Sequence, residues 1–524
     1  MINYILLNCY LLITYFYFLH KLRHGFHILQ LESYMNLRYI NWMKKNKEKI
    51  ITLRELLLII PSILIFFDIT IGLCINIGIL LLLLLGRNTY KEKKPLVITN
   101  RIKRLYCTIS LFLIVLIIFS NIFINHILIF GILVAILNLA LIFSYFKVIS
   151  VNTLNLPIEF RIQKGYYTKA NNKLKQMHNL KVIGITGSYG KTSTKYILST
   201  ILGEKFNVLM TPESYNTTMG VVKTINENLK PTHEIFVCEM GAKRIGDIKE
   251  ICDLVNPNYA VLTAIGPQHL ETFKSIENIK KTKLELVDSL TKNGVAFLNY
   301  QDENIKKSKI DKNKITFGLD KTYDYYADNI IINEKGSSFD VYTKSGDIIP
   351  IKTKLLGKLN IVNIVGAISV AKELGMNIDQ IKSGARFLKP VPHRLELKQN
   401  VNGSIIIDDA YNSNIEGAKM ALEVLKKFKE RTRILITPGI VELGEHSEEY
   451  NKILGMEAAN SSDYIILVGK KQSQMIIKGL EEKNYPNKKI FVAQDLNEAL
   501  KKMNEIITPK SVILLENDLP DNYL

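Results

Sequence analysis

The chain has 524 residues, of which 47% are apolar, and this length predicts several domains. Its net charge is +19, but +5 of it (8 basic minus 3 acidic residues) falls in residues 21–55 and +6 (7 minus 1) in residues 87–106. Both segments flank apolar stretches and do not form a basic stripe on a folded surface. The basic charge is therefore weak evidence for nucleic acid, and we predict no nucleic-acid partner. The five cysteines include no CxxC pair, which argues against a disulfide scaffold or a zinc ribbon.

The first 147 residues hold most of the apolar excess. Five apolar stretches lie there, and a helix needs roughly 20 such residues to cross a membrane core of about 30 Å. The second and third stretches are short and meet at Asp68, so we predict a tight hairpin in preference to one long bent segment. The pattern therefore predicts an N-terminal bundle of about five transmembrane helices, at residues 2–19, 51–67, 69–85, 107–122 and 127–146.

The charge of the connecting loops predicts the orientation of this bundle. Short loops rich in Lys and Arg stay on the cytoplasmic side, and the basic loops here follow the first and third stretches. We therefore predict a multi-pass protein of the cytoplasmic membrane, in contact with lipid, with its N-terminus outside and everything after Lys147 in the cytosol. The alternative for the first stretch is a cleaved signal peptide, which would leave four spans and the same cytosolic side.

From Lys181 onward, short apolar runs alternate with amphipathic segments, as in βα units on a parallel sheet. Period-two alternation around residues 330–354 predicts a β-meander, and a second α/β series follows. The predicted fold is α/β with three domains. These are a transmembrane domain at 1–149, a P-loop parallel-sheet ATPase domain at 150–390 and a C-terminal Rossmann-like α/β domain at 391–524.

The most specific motif lies between the first predicted strand and helix of this half. Residues 184–193 read Gly-Ile-Thr-Gly-Ser-Tyr-Gly-Lys-Thr-Ser. Glycines let backbone N–H groups approach phosphate oxygens at a helix N-terminus, a lysine neutralises phosphate charge, and a hydroxyl can bind Mg²⁺. The alternative is a Gly-rich turn without a ligand. We predict a site for the phosphates of a nucleotide at Gly187, Ser188, Gly190, Lys191, Thr192 and Ser193.

Several motifs together give this half of the chain a family resemblance. Residues 186–192 resemble the ATP loop of the Mur ligases, the amide-forming enzymes of cell-wall peptide synthesis. The resemblance covers residues 181–515 and is strongest to the branch that adds D-Ala-D-Ala (MurF). The other matching segments follow in the family's order, at 211–220, 239, 266–271, 283–285, 358–363, 393–396, 408–414 and 441–445.

The resemblance implies which residues hold metal ions. Thr192 and Glu239 would bind a first Mg²⁺, for which oxygen ligands are suited. His269 would bind a second ion together with a carbamylated Lys283, because a carbamate turns the lysine into an anion. The implied catalytic set is Lys191, His269, Lys283 and Arg394.

The resemblance also implies contacts with ATP and with the acid substrate. The ATP contacts outside the Gly-rich loop would be Asn363, near adenine, and Arg394, Asp409 and Asn412 in the third domain. Asp408 and Asp409 both follow a strand, and only the resemblance favours the second. The substrate-binding residues would be Asn216, Thr217 and Thr218.

Amide formation explains why these residue types are needed. A carboxylate must be activated, here by the γ-phosphoryl group of ATP, and the resulting acyl phosphate is attacked by an amine. Lys191, Arg394 and two Mg²⁺ ions would neutralise the transferring group. The resemblance implies an ATP-dependent, ADP-forming acid–amino-acid ligase of cell-wall precursor synthesis. It would join a D-Ala-D-Ala-type dipeptide, or another amino-acid amine, to a muramoyl-peptide carboxylate.

Three features depart from the MurF pattern. MurF enzymes usually begin with a soluble domain that holds the uridine of a UDP-linked substrate, whereas apolar stretches occupy that place here. The substrate segment reads Asn-Thr-Thr-Met from Asn216, where paired asparagines and an acid are common. The ending from Glu516 also differs. The acid substrate is therefore open among UDP-linked, lipid-linked and polymeric forms.

Each of these site residues has a purely structural alternative. Glu239 would then be a solvated acid at a strand end, and His269 a loop histidine with satisfied hydrogen bonds. Lys283 would lie on the solvated face of a basic helix, and Asn363 would cap or pack at a helix start.

Two other functions compete with this interpretation. One is a poly-γ-glutamate-type ligase at the membrane, against which the MurF-like segments at 409–412 and 442–444 argue. The other is a transporter or membrane scaffold with a nucleotide-sensing domain, in which ATP hydrolysis would be coupled to the spans.

Overall fold

The computed structural model describes residues 2–50, 52–86, 95–333, 336–411, 414–441 and 443–518. These residues fall into two compact units, which meet between Lys164 and Gly165 along the chain. In the described residues of the first unit the regular elements are all helices. They are α1 (Ile2–Leu31), α2 (Asn36–Lys45), α3 (Lys47–Ile50), α4 (Leu53–Leu56), α5 (Ile59–Leu64), α6 (Ile69–Leu85), α7 (Asn100–Ile122), α8 (Ile127–Ile142) and α9 (Ser144–Lys175).

The apolar helices expected near the N-terminus are present, but five separate spans are not confirmed. Among the described residues, α1 and α7 are long and apolar enough to cross a membrane, and α8 with α9, bent by 91°, adds a third if counted as one span. The second predicted stretch breaks into α4 and α5, with Pro61 inside α5. A proline lacks the N–H that continues a helix. The third stretch forms α6, whose 17 residues reach about 26 Å, less than a typical core of about 30 Å.

A buried polar network joins four segments of the first unit. The side-chain amide of Asn138 in α8 donates to the carbonyl oxygen of Leu58 (3.2 Å), to Ser62 Oγ (2.8 Å) and to Asn76 Oδ1 (2.7 Å). Its Oδ1 accepts a hydrogen bond from the hydroxyl of Tyr10 at 2.9 Å. Asn138 is 1% exposed, so this one amide satisfies polar groups of α1, α5 and α6 that would otherwise be buried without partners.

Replacing Asn138 with alanine should destabilise the first unit by about 1–2 kcal/mol, because it leaves Tyr10 and Asn76 without their partner. The measurement is the thermal unfolding midpoint of the detergent-solubilised chain. Leu139→Ala is the matched control, since Leu139 neighbours Asn138 on α8 but is 46% exposed. Equal midpoints for the two variants would contradict a stabilising role of the network.

The first sheet of the second unit has nine strands in the order β2-β3-β1-β4-β5-β6-β7-β8-β9, with β1 to β7 parallel to their neighbours and β7-β8-β9 antiparallel. This confirms the expected parallel sheet and the β-meander. Its strands are β1 (Lys181–Thr186), β2 (Val208–Met210), β3 (Ile235–Glu239), β4 (Tyr259–Leu262), β5 (Val295–Asn299), β6 (Asn313–Gly318), β7 (Tyr325–Asn333), β8 (Gly336–Tyr342) and β9 (Ile348–Thr353).

The helices of this part are α10 (Lys191–Leu202), α11 (Thr218–Asn228), α12 (Asp247–Val255), α13 (Leu270–Phe273), α14 (Ile276–Asp288), α15 (Glu303–Lys306), α16 (Lys358–Glu373) and α17 (Ile378–Arg386). Alternate residues of β1 face opposite sides of the sheet. Ile183 and Ile185 belong to an apolar core with α10 and α16, whereas Val182 belongs to a second core with α11, α12 and α14. The sheet therefore lies between two helical layers.

The second sheet has six strands in the order β10-β11-β15-β12-β13-β14, parallel except for the β10-β11 pair. The strands are β10 (Glu396–Gln399), β11 (Ile405–Asp409), β12 (Thr432–Thr437), β13 (Tyr464–Val468), β14 (Ile490–Ala493) and β15 (Ser511–Glu516). The helices are α18 (Ile415–Lys427), α19 (Ser447–Ser461), α20 (Lys470–Glu482) and α21 (Leu496–Ile506).

One outer strand of the nine-stranded sheet contains a proline. Among the described strands, β9 pairs only with β8, and Pro350 lies at its middle, exposed and opposite Asp340. Proline has no N–H to donate and is confined to edge strands. The sequence Ile-Ile-Pro-Ile-Lys-Thr therefore fits the edge position that the structure gives it.

Candidate active site

The predicted nucleotide loop lies at the carboxyl edge of the nine-stranded sheet. It connects β1 to α10. The segments that follow β2, β3 and β4 begin at the same edge, because these strands run parallel to β1 or to its neighbour β3. Ligands of open α/β sheets bind at this edge. The fold thus brings four loops of the sequence together around the start of α10.

Two glycines of the loop have conformations that other residues rarely adopt. Gly187 has φ of +154° and Gly190 has φ of +81°. A Cβ on Gly187 would lie 2.0 Å from Thr263 Oγ1, and one on Gly190 would lie 3.1 Å from Asn363 Oδ1. Glycine is therefore required at Gly187 both by the backbone angle and by the close approach of the β4 segment.

The loop is anchored to the segment after β4 by Ser188. Its Oγ donates to the carbonyl oxygen of Gly266 at 2.9 Å and accepts from the N–H of Gly266 at 3.0 Å. The N–H of Ser188 donates to the carbonyl oxygen of Ala264 at 2.8 Å. Ser188 is 1% exposed, so the structure shows it fixing the shape of the loop.

Lys191 points back into the loop that precedes it. Its ammonium donates to the carbonyl oxygens of Gly187 (2.6 Å) and Ser188 (3.1 Å). Burial lowers the pKa of Lys191 to about 8. The nearby charge of Arg394 also lowers this pKa, whereas the charge of Glu239 raises it. The ammonium is thus held where a phosphate anion would restore its full charge.

Glu239, at the end of β3, lies at the centre of the site and is 1% exposed. Its Oε1 accepts hydrogen bonds from Thr192 Oγ1 (3.1 Å) and from the Asn216 amide (2.9 Å). Its Oε2 lies 3.0 Å from the ammonium of Lys195, which is fully buried. The N–H of Glu239 donates to Thr211 Oγ1 at 3.1 Å. The buried position contradicts the alternative of a solvated acid.

The donor set fits a magnesium ion bound by few protein atoms. Thr192 Oγ1 and Glu239 Oε1 are 3.1 Å apart, close to the spacing of about 2.9 Å between adjacent ligands at 2.0–2.1 Å in an octahedron. Among the described residues there is no group of three or more His, Cys, Asp or Glu side chains that could hold a metal. Mg²⁺ suits such a site, because it keeps several waters and shares phosphate oxygens.

Two family models match this half of the chain. The Mur ligase middle domain matches residues 185–371, and the Mur ligase glutamate ligase domain matches residues 393–516. The UDP-N-acetylmuramoyl-tripeptide–D-alanyl-D-alanine ligase of Buchnera aphidicola subsp. Baizongia pistaciae is 30% identical over 340 residues, which are 64% of this chain and 73% of that protein. The chain belongs to the Mur ligase family.

Solved structures agree with this assignment. MurF from Thermotoga maritima, in complex with ADP, superposes with a TM-score of 0.61 at 27% identity, covering 68% of this chain and 80% of that one. MurF from Acinetobacter baumannii gives a TM-score of 0.60 at 27% identity, covering 68% and 77%. Among sequence relatives, the UDP-N-acetylmuramoyl-tripeptide–D-alanyl-D-alanine ligase of Escherichia coli is 32% identical over 57% of this chain and 66% of that protein. This Mur ligase is an ATP-dependent, ADP-forming carbon–nitrogen ligase.

Lys283 of this Mur ligase is buried in α14, with 2% exposure. Burial lowers its pKa well below the ordinary value, and the charge of Lys191 adds to the effect. The alternative of a lysine on a solvated helix face is therefore wrong.

His269 and Asn363 lie on segments next to the Gly-rich loop. His269 has φ of +52° and precedes α13, which packs against the helix of Lys283. Asn363 is 2% exposed in α16, and its Nδ2 has no hydrogen-bond partner in the part of the chain that the structure describes. Asn363 faces Gly190 and lies in the second turn of α16, so it does not cap that helix.

The two aspartates after β11 have different surroundings. Asp408 Oδ2 pairs with Lys398 (2.6 Å) and His393 (2.9 Å), whereas Asp409 Oδ1 accepts from the N–H of Leu395 at 3.1 Å. Arg394 is electrostatically coupled to Asp409 and also to Lys191. Arg394 is therefore coupled to Asp409, and the choice of Asp409 over Asp408 as the ATP contact stays a prediction. Asn412 lies outside the described residues.

The remaining predicted residues lie at helix starts. Thr217 caps α11, since its Oγ1 accepts from the N–H of Gly220 at 3.3 Å, and Thr218 is the first residue of that helix. Ser193 lies in the first turn of α10. All three are at the carboxyl edge of the sheet, but the ligand contacts assigned to them stay predictions.

Lys195 is the residue that the sequence analysis missed. Its ammonium pairs with Glu239 and also donates to the carbonyl oxygen of Glu213, in the segment after β2. A signal existed, because Lys195 shares a face of α10 with Leu198 and Leu202, which are both buried. A lysine on the apolar face of a short helix must find a buried anion.

Lys195→Met should destabilise the second unit by about 3 kcal/mol, because Glu239 loses the cation that compensates its buried charge. The measurement is the unfolding midpoint of the full chain in detergent, followed by a signal of the second unit. Lys230→Met is the matched control, since Lys230 is exposed in the same unit and its loss should change little. A Lys195→Met midpoint equal to that control would rule out the ion pair as a stabilising contact.

Proposed function

We propose that this Mur ligase joins D-alanyl-D-alanine to the terminal carboxylate of a muramoyl tripeptide, in the synthesis of peptidoglycan precursors. The observation that carries the proposal is the Glu239 centre, where Thr192, Asn216 and Lys195 meet one buried carboxylate beside the Gly-rich loop. Thr192, which we predict on the nucleotide side, and Asn216, which we predict on the substrate side, both donate to Glu239 Oε1, and this supports the proposal. The names of the similar enzymes from Buchnera aphidicola and Escherichia coli support the choice of substrates.

The chain's own residues would act on the γ-phosphoryl group of ATP. Lys191 and Arg394, which are electrostatically coupled to each other, would hold the phosphates and neutralise charge during transfer. The acid's carboxylate oxygen forms a bond to phosphorus, the bond to ADP breaks, and the acyl phosphate results. The amine of the dipeptide then attacks the acyl carbon and gives up a proton, and phosphate leaves with the electron pair of its bond to that carbon. When bound at Thr192 and Glu239, Mg²⁺ supplies further charge neutralisation.

A second metal ion would depend on Lys283. We propose that its amine reacts with CO₂ to give a carbamate and a proton, so that the cation becomes an anion. A neutral amine is the reactive form, and burial together with the charge of Lys191 favours that form. The carbamate and His269 would then hold the second Mg²⁺. The ammonium of Lys191, which repels a protonated Lys283, would attract the carbamate anion.

We propose that the ligase meets its acid substrate at the inner face of the cytoplasmic membrane. The apolar helices α1 and α7 support anchoring, and the basic loops support an N-terminus outside and catalytic domains in the cytosol. The five-span bundle remains part of this proposal. Such a ligase could take its muramoyl peptide from a UDP-linked or a lipid-linked precursor, and the two carriers share the same reacting carboxylate.

We expect ADP release only when UDP-MurNAc-tripeptide and D-Ala-D-Ala are supplied together, with formation of the pentapeptide product. The assay uses the full chain in detergent with Mg²⁺ and bicarbonate, and it measures ADP and the product mass. Glu239→Gln should lose at least about 100-fold in kcat, because the first ion loses its charged ligand. ADP release without the pentapeptide would point to another acid–amine pair. Absence of release with both UDP-linked and lipid-linked acids would contradict the ligase assignment.

Lys283→Ala should reduce kcat about 100-fold or more, and wild-type activity should fall in CO₂-free buffer and return with bicarbonate. The matched control is Lys281→Ala, since Lys281 is exposed on the same helix. With ¹³C-bicarbonate, a carbamate carbon signal should appear in the wild type and in Lys281→Ala but not in Lys283→Ala. Full activity without CO₂ would contradict the carbamate while leaving the ligase proposal intact.

A further inference from the structure

Helix α9 has the reverse of the polarity that a helix in water shows. Up to Lys164 it belongs to the first unit. Its buried side chains include three polar ones, those of Asn152, Asn155 and Glu159. Its exposed side chains include five large apolar ones, those of Phe146, Leu154, Leu156, Ile158 and Phe160. A surface helix in water places its polar residues outward, so the outer side of α9 is suited to a hydrocarbon environment.

The inward polar side chains of α9 bind the ends of two apolar helices. Asn152 accepts a hydrogen bond from Arg101 at 3.2 Å, and Glu159 accepts two from Arg104, at 2.6 and 2.9 Å. Both arginines lie at the start of α7. Asn152 also donates to the carbonyl oxygen of Tyr34 at 3.0 Å, just after the end of α1. Helix α9 therefore lies beside the polar ends of α1 and α7, where charged residues leave the apolar core.

The angle between α8 and α9 limits how the two helices can lie in a membrane. They are bent by 91° relative to each other, so at most one of them can follow the membrane normal. Helix α8 is apolar except for Asn138, and its residues belong to the core of the first unit. The charged contacts of α9 would be costly at the centre of a bilayer. We therefore assign the apolar core to α8 and the membrane surface to α9.

The charged residues of α9 fit a position at the lipid headgroups. Residues 148–158 contain no charged side chain, and the exposed cations Arg161 and Lys164 follow soon after. Lys164 lies four residues after Phe160, and Arg161 lies seven residues after Leu154, so these cations share the outward face. Long basic side chains at such a place cover apolar surface with their stems and bring their charges to polar groups.

We propose that residues 146–164 of α9 form a helix that lies in the membrane surface. Its outward apolar side chains contact the acyl chains, and Arg161 and Lys164 bind the phosphates of the lipid headgroups. The partner of this face is thus the phospholipid bilayer. The inference rests on the membrane anchoring in the proposed function and does not depend on the choice of substrates. It moves the membrane boundary of the chain from Lys147 to Lys164.

The test uses the quenching of tryptophan fluorescence by brominated lipids, because bromine quenches only at short range. Three variants carry the same substitution: Phe160→Trp on α9, Phe112→Trp near the middle of α7 and Phe387→Trp in the second unit. These phenylalanines are 67%, 46% and 63% exposed, so the three changes should leave the fold intact. Trp42 is the one native tryptophan, and its signal is subtracted with the wild-type chain.

The full chain is reconstituted in phosphatidylcholine vesicles whose acyl chains carry bromine either near the headgroup or near the chain end. We expect stronger quenching of Phe160→Trp by bromine near the headgroup, because the apolar face of an interfacial helix lies about 5–10 Å into the boundary between headgroups and acyl chains. Phe112→Trp should show the opposite order, since α7 is long enough to cross the membrane. Phe387→Trp is the matched control and should be quenched by neither lipid.

Each failure has its own signature in these three variants. Quenching of Phe112→Trp without quenching of Phe160→Trp would overturn the inference and point to a protein partner on this face, while the anchoring would stand. Stronger quenching of Phe160→Trp by bromine near the chain end would also overturn it, because α9 would then cross the core. Absence of quenching of Phe112→Trp would contradict the proposed anchoring and this inference together, and ADP release would still report separately on the ligase reaction.

Discussion

The buried charge of Glu239 is the constraint around which the second unit is organised. A carboxylate with 1% exposure is stable as an anion only if both of its oxygens are compensated. Lys195 supplies the charge on one oxygen, and Thr192 and Asn216 donate to the other. These partners come from α10 and from the segment after β2. One carboxylate therefore fixes the positions of the Gly-rich loop and of the Asn216 segment relative to the end of β3.

Sequence reasoning found the parts of this site that depend on local chemistry. The Gly-rich loop could be recognised because its function needs glycines, a lysine and a hydroxyl in a fixed order between a strand and a helix. Glu239, at the end of an apolar strand, was predicted through the family resemblance. Lys195 was missed because its role depends on burial against a residue 44 positions away, which no local pattern shows. The different surroundings of Asp408 and Asp409 were equally hidden, since Lys398 and His393 reach Asp408 through space.

Lys283 shows an intermediate case. The basic residues around it suggested a solvated helix face, yet its neighbours one turn away, Ile279 and Val287, are buried. Helical periodicity alone places Lys283 on that apolar side. Local composition and periodicity therefore gave opposite answers, and periodicity was the better guide because it follows the direction in which side chains point.

The first unit illustrates what hydropathy does not measure. An apolar stretch predicts burial in lipid or protein, but it does not show where a helix breaks. Pro61 lies just after the break between α4 and α5, and Asp68 caps the start of α6. The amide of Asn138 satisfies polar groups from both α5 and α6. Among the described residues, helix length gives two or three candidate spans where composition gave five.

The proline in the outer strand of the nine-stranded sheet has a consequence beyond the fold. The free edge of a strand offers N–H and C=O groups to any neighbouring molecule, and this is a common route to aggregation. Pro350 removes a donor from the middle of β9, while Ile348 on the same strand is 52% exposed. Molecules confined to a membrane surface meet one another more often than molecules free in solution. A proline at this edge therefore protects the protein against strand-to-strand association with its own copies, and this protection would matter most under the proposed membrane anchoring.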